Sequence, residues 1–205
     1  MKNYFITLEG IEGAGKSTAM EFIKKLLLEK KIKFITTREP GGTVISEAIR
    51  QLLLTPSATK ISVATEILLM FASRAQHIAE VIKPALARGE WVICDRFTDA
   101  TYAYQGGGRK FDFDKIKILE QWVQDSLQPD LTILLDIPVD VGMTRIKARN
   151  NHRDRFEQEK TDFFERVRQA YLRRAKQDAN RFKIIQADQS LANVELQLTK
   201  MFEKL

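Results

Sequence analysis

One cysteine in 205 residues excludes a disulfide within the chain. Cys94 lies in the apolar run "WVICD", where a small buried thiol is the simpler reading and a nucleophile the alternative. No stretch approaches the ~18 apolar residues of a membrane span, and the apolar part of the opening "MKNYFITLEG" is too short for a signal peptide. A soluble cytoplasmic protein with no membrane partner is therefore expected. No internal repeat or low-complexity linker interrupts the chain, and its length demands no second domain. Two signatures of nucleotide proteins are missing as well. There is no N-K-x-D guanine reader, which a GTPase switch should carry after a strand. There is no G-x-G-x-x-G fingerprint either, because Gly13 and Gly15 run on into Lys16, Ser17 and Thr18. The first absence weakens a switch, and the second removes the main support for hydride chemistry.

What is present begins with 44% hydrophobic residues, enough for one substantial core, and a net charge of +6, which favours an anionic partner. Apolar, β-rich runs recur at 4–9, 33–37, 91–95, 131–136 and 182–187. Segments of helical periodicity separate them, such as Ile67, Phe71, Ala75, Ile78 and Ile82. Alternation of this kind predicts an α/β fold: a five-stranded parallel sheet with helices on both faces. Residues 145–160, "RIKARNNHRDRFEQEK", are strongly charged and broken by Asn150, Asn151 and His152, which suggests a lid.

Between the first run and the first helical segment, Gly10, Gly15, Lys16 and Ser17 satisfy G-x-x-x-x-G-K-[ST]. Glycines let the backbone curl so that its N–H groups point inward, and the positive helix end adds attraction for phosphate oxygens. The cradle runs from Gly10 through Ile11, Glu12, Gly13, Ala14 and Gly15 to Lys16, Ser17 and Thr18. In it Lys16 should reach the β- and γ-phosphates of ATP, and Ser17 should offer its hydroxyl to Mg²⁺. In an open α/β sheet, ligands collect beyond the carboxyl ends of the strands. "TREPGG" (37–42) and "DRFTDATYAYQGGGR" (95–109) follow two such ends. Asp95 would then sit near the phosphates and the metal, and Arg96 would clamp an incoming phosphate. The alternatives are a structural Asp95–Arg96 ion pair and a merely flexible turn at Gly106, Gly107 and Gly108.

"EGIEGAGKST", "TREPGGT", "TEILLMFASRAQHI", "IKPALARGEWVICDRFTDATYAYQGGG", "PDLTILLD" and "DRFEQE" occur in this order. With them the chain resembles the bacterial type of thymidylate kinase nearly end to end. The resemblance implies a P-loop nucleoside monophosphate kinase fold, transfer of the γ-phosphoryl of ATP to dTMP with Mg²⁺, and a homodimer, with no nucleic-acid partner. It implies a dTMP pocket of Arg74, Arg96, Thr101, Tyr104 and Gln105, with Arg96 on the 5′-phosphate and Tyr104 beside the sugar. Glu12 would serve the 3′-hydroxyl side, and Glu39 and Arg50 join the set. The family's stacking phenylalanine falls at Met70, whereas the available aromatic is Phe71; which of the two meets the base stays open. A kinase of another monophosphate, or of a deoxynucleoside, is the alternative.

The acceptor is itself a phosphate with a second pKa near 6, so it needs no general base, and neither His77 nor His152 is required for chemistry. The reaction does need cations against the charge of two anions and of the moving phosphoryl group. The loop interior from Ile11 to Ala14 holds no arginine. Beyond Lys16 and Arg96, the lid is therefore expected to supply one, from Arg149, Arg153 or Arg155, with Arg145 at the same helical spacing.

Overall fold

The computed structural model describes residues 3–57, 59–148 and 154–205. The apolar runs form β1 (Phe5–Glu9), β2 (Phe34–Arg38), β3 (Trp91–Asp95), β4 (Leu131–Asp136) and β5 (Phe182–Gln186). All four pairings are parallel, in the order β2-β3-β1-β4-β5, with Ile6 opposite both Ile93 and Leu131. β1 is buried throughout, and β3 and β4 are buried up to their last residue, whereas β2 and β5 at the edges are partly exposed. Strands covered on both faces are apolar without a break, which is why the inner three read so plainly in the sequence.

Ile6, Leu8, Ile93 and Ile133 pack with Ile23 and Leu27 of α1 (Lys16–Glu29) and with Leu198 and Phe202 of a C-terminal helix, Leu191–Phe202. Phe5, Val92 and Cys94 instead meet Ile78, Ile82 and Phe97. β1 and its neighbour β3 lead to crossovers that depart in opposite directions along the sheet. The crevice between their carboxyl ends is the topological switch point.

Other helices rim that crevice. α2 (Val44–Leu54) is capped by the Thr43 hydroxyl, which accepts from Ser46 N–H, and α3 (Val63–His77) by the Ser62 hydroxyl, which accepts from Thr65 N–H. α3 passes through a π-helical turn, Ile78–Ile82, into α4 (Lys83–Ala87). The apolar stripe predicted along it departs from expectation at its centre. Ala75 is exposed, and the buried face there is Ser73, Arg74 and His77.

After β3, α5 (Thr98–Thr101) continues into a π-helical segment, Tyr102–Gly108. Gly106, Gly107 and Gly108 are buried in that segment and do not form a flexible turn. A Cβ on Gly107 would stand 2.6 Å from that of Ala170, and one on Gly108 would strike the Phe163 ring. These glycines let the helix Thr161–Gln177 lie close. α6 (Phe113–Gln124) packs beside α3. Among the described residues no helix is long and apolar enough to cross a membrane.

Candidate active site

β1 delivers the chain straight into the glycine loop. Gly15 caps α1 at φ 89° with no side chain bonded to the helix start, so the first-turn N–H groups are not spent on a capping side chain. Ile11 and Ala14 are buried beneath the loop, so only their backbone can serve a ligand. Gly13 could carry no side chain, because a Cβ there would run into the carbonyl of Gly142, in the helix Val139–Ala148. Lys16 folds its Nζ over the carbonyls of Gly10 (3.2 Å) and Ile11 (3.3 Å). Burial, with the nearby Arg96 cation, lowers its pKa to about 8. An ammonium held this way gains by meeting phosphate.

Arg96 takes a positive φ of 69° just past β3. Its Nη1 donates to the carbonyl of Gly10 (2.9 Å) and to the Tyr171 hydroxyl (3.1 Å), and its Nη2 pairs with Glu12 Oε1 at 2.9 Å. The guanidinium lies 4.7 Å over the Tyr104 ring, and the Tyr104 hydroxyl donates to the other Glu12 oxygen. Arg96 thus pairs with Glu12 and not with Asp95. Asp95 Oδ1 is buried with no partner among the described residues. A buried carboxylate oxygen beside the Ser17 side of the loop suits a hard cation whose remaining ligands are phosphate oxygens and water. No cluster of three metal-ligating side chains occurs among the described residues.

One cleft joins these groups to the second pocket. Gly13, Gly15, Lys16 and Ser17 of the loop line it together with Asp95, Arg96, Arg74, Thr101, Tyr104 and Gln105, and Glu12, bonded to both Arg96 and Tyr104, links the two groups. Glu39 and Arg50 also line it. Arg50 donates to the Pro40 carbonyl at 2.7 Å, and burial with the neighbouring Arg38 holds its pKa below the usual range. Arg74 is fixed by Glu39 (Nε to Oε2, 2.8 Å) and Thr101 (Nη2 to Oγ1, 3.0 Å), while its Nη1 has no partner among the described residues. Beyond the loop, Thr18, Arg145, Ala187 and Gln189 line a separate hollow, suited in place to the nucleoside end of a donor.

Two expectations change. Phe71 does not face the cleft: it is buried with Ile67, Tyr102 and Ile116, 4.8 Å beneath the Arg74 guanidinium, and Met70 takes the lining position. The register of α3 decides this, because residue 71 lies on the core side. Arg155 does not reach the loop. Its Nη1 pairs with buried Glu66 at 2.6 Å and its Nε with the Leu53 carbonyl at 2.7 Å, because a carboxylate buried in the first turn of α3 draws the nearest cation. Thr18 keeps its expected place at the end of the cradle, on the side of the hollow. Arg149 and Arg153 lie outside the described residues.

Sequence reasoning missed Phe97, Leu54 and Phe156 as cleft walls. It also missed Glu9, which binds the Tyr171 hydroxyl and Phe97 N–H, each at 2.7 Å, and so holds the Arg96 turn. A charged residue closing an apolar strand was the available signal.

A phosphate loop, its lysine and several arginines lining one cleft suit phosphoryl exchange between nucleotides. The strand order, with the phosphate loop at its switch point, is that of the P-loop nucleoside monophosphate kinases. The family model described as thymidylate kinase matches residues 8–198. A thymidylate kinase of Pseudomonas syringae pv. tomato is 55% identical over 205 residues, covering 100% of this chain and 97% of its own length. One from Pseudomonas entomophila is 58% identical over 195 residues, covering 95% and 92%. The chain belongs to the thymidylate kinase family: with ATP as donor, it phosphorylates dTMP to dTDP.

Proposed function

We propose that transfer runs along the cleft, from ATP on the glycine loop to the 5′-phosphate of dTMP held between Arg96 and Arg50. The supporting observation is that Lys16 and Arg50, two cations whose charge is disfavoured by burial, line the same cleft as Arg96. Two anions entering together would relieve that strain and be shielded from each other. Because the acceptor oxygen is already anionic, alignment and charge are all the protein has to supply. Ser17 and Asp95 would hold Mg²⁺, which supplies charge neutralisation at the β- and γ-phosphates.

Arg74, Thr101 and Gln105 form the base end, with Met70 and Phe97 as apolar walls. Tyr104 crowds the sugar, and Glu12 tethers its hydroxyl. Residues 1–205 form one kinase domain with a lid at about 145–160, from which Arg149 or Arg153 completes the shielding. The enzyme is cytoplasmic and homodimeric. Leu68, Ile118 and Trp122, exposed on α3 and α6 at 56%, 64% and 79%, offer the contact face. The test is ADP release measured over dTMP, dUMP, dCMP and AMP, with dTMP expected to be best. Faster turnover of AMP or dCMP would defeat the assignment.

A further inference from the structure

"TREPGG" and His77 remain unexplained by phosphoryl transfer, and they occupy one buried cluster. Glu39 is 5% exposed, Arg74 2% and His77 0%. The Glu39 carboxylate takes Arg74 Nε on one oxygen (2.8 Å) and His77 Nδ1 on the other (2.9 Å), and His77 Nε2 meets the Thr37 hydroxyl at 2.6 Å. Because a carboxylate only accepts, Nδ1 carries a proton toward Glu39, while Nε2 and the Thr37 hydroxyl share one hydrogen bond. Each polar atom of the Glu39 side chain is thereby engaged, as a buried carboxylate requires. Gly42 follows from the same packing: at φ 90°, a Cβ there would stand 2.7 Å from both His77 Nε2 and Thr37 Oγ1. The cluster therefore needs Thr37, Glu39 and Gly42 from one motif and Arg74 and His77 from one helix.

We propose that His77 is a positioning residue for the acceptor: by fixing Glu39 it aims Arg74 at the base of the bound monophosphate. This rests on the reading that Arg74 lines the base end of the cleft. The chemistry fits a specificity role. A guanidinium only donates, thymine offers two ring carbonyls, and cytosine replaces one of them with an amine. Glu39 free to rotate would let Arg74 swing, which weakens that discrimination without touching the ATP end.

Two kinds of histidine substitution separate positioning from packing. His77→Asn keeps a donor near the Nδ1 place, whereas His77→Phe keeps the ring and loses both polar contacts. In the expected result, His77→Phe raises the KM for dTMP roughly tenfold to a hundredfold, the size by which loss of a partner that orients a metal ligand weakens metal binding. Its kcat and ATP KM stay within about threefold, its preference for dTMP over dCMP shrinks, and His77→Asn recovers most of the dTMP KM. Thr37→Val, which leaves His77 in place, should act in the same direction more weakly, and it decides the matter if His77→Phe does not fold.

A folded His77→Phe, or failing that Thr37→Val, with parental dTMP KM and base preference overturns the inference. So does loss of activity toward ATP and dTMP in parallel with a lower Tm, the mark of a packing role. Arg74→Ala is measured alongside. If it too leaves dTMP binding unchanged, the site reading itself fails; if it weakens dTMP while His77→Phe does not, only the positioning role fails.

Discussion

The two ends of the cleft are built by opposite means. The donor's phosphate cradle comes from one unbroken stretch, residues 10–17, and works through backbone N–H groups, glycine conformations and one lysine. The acceptor end draws side chains from β2's loop, α3 and the segment after β3, and holds them with buried hydrogen bonds such as Glu39–Arg74–Thr101. Phosphate is the same in every nucleotide, so a local backbone cradle suffices for it. A base has to be distinguished from other bases, and buried polar groups that a wrong base leaves unpaired do that far better than shape alone. The contrast teaches where damage should show: as lost rate for any acceptor at one end, and as lost choice of acceptor at the other.

The largest expected effect is at the donor end. Lys16→Ala should lower kcat by at least about 10²–10³-fold, the cost of removing one preorganised charge donor, with Tm unchanged because its Nζ bonds only loop carbonyls. Steady-state kinetics beside a thermal melt checks this, and near-parental turnover would break the comparison. Next is Tyr104→Ala at the acceptor end. Steric exclusion of a 2′-hydroxyl should relax by about 10–200-fold in the kcat/KM ratio of dUMP to UMP. An unchanged ratio would move that selection to another residue.

A smaller, graded effect concerns pH. The Lys16 ammonium has a pKa lowered to about 8 by burial and the nearby Arg96 cation, and bound phosphate would raise it. Binding therefore takes up a proton above that pH, and calorimetric titration should show ATP affinity flat below pH 8 and falling by up to about tenfold per unit above it. dTMP affinity should not share the break. The smallest effect on rate is Arg155→Ala. With Nη1 held by Glu66 and Nε by the Leu53 carbonyl, and only Nη2 without a partner among the described residues, kcat should stay within about tenfold, while Tm drops by a few degrees. A loss of about 10³-fold or more at constant Tm would return Arg155 to the transferring phosphoryl group.

Legibility followed the same divide. The glycine loop and all five strands could be read from the sequence, because each is a contiguous motif or an apolar run, whereas Arg74, Arg96, Thr101, Tyr104 and Gln105, which the structure places along the cleft, were named together only through the family resemblance. Phe71 could not be placed, since one residue of helical register decides between core and cleft, and Met70 and Phe71 are both apolar. Arg155 was misjudged because its partner, Glu66, lies far away in the chain and is 1% exposed, a burial that no local pattern reveals. A flexible turn stayed open as the alternative for glycines 106–108 because only the approach of Phe163 and Ala170 shows why side chains are absent there.

The most direct measurement is the ratio of kcat/KM for dTMP to that for dCMP in the parent, Lys16→Ala and Arg74→Ala. The account predicts that Lys16→Ala depresses both values together and keeps the ratio, whereas Arg74→Ala collapses it toward unity. A ratio altered by Lys16→Ala, or preserved by Arg74→Ala, would contradict the division of labour between the two ends of the cleft.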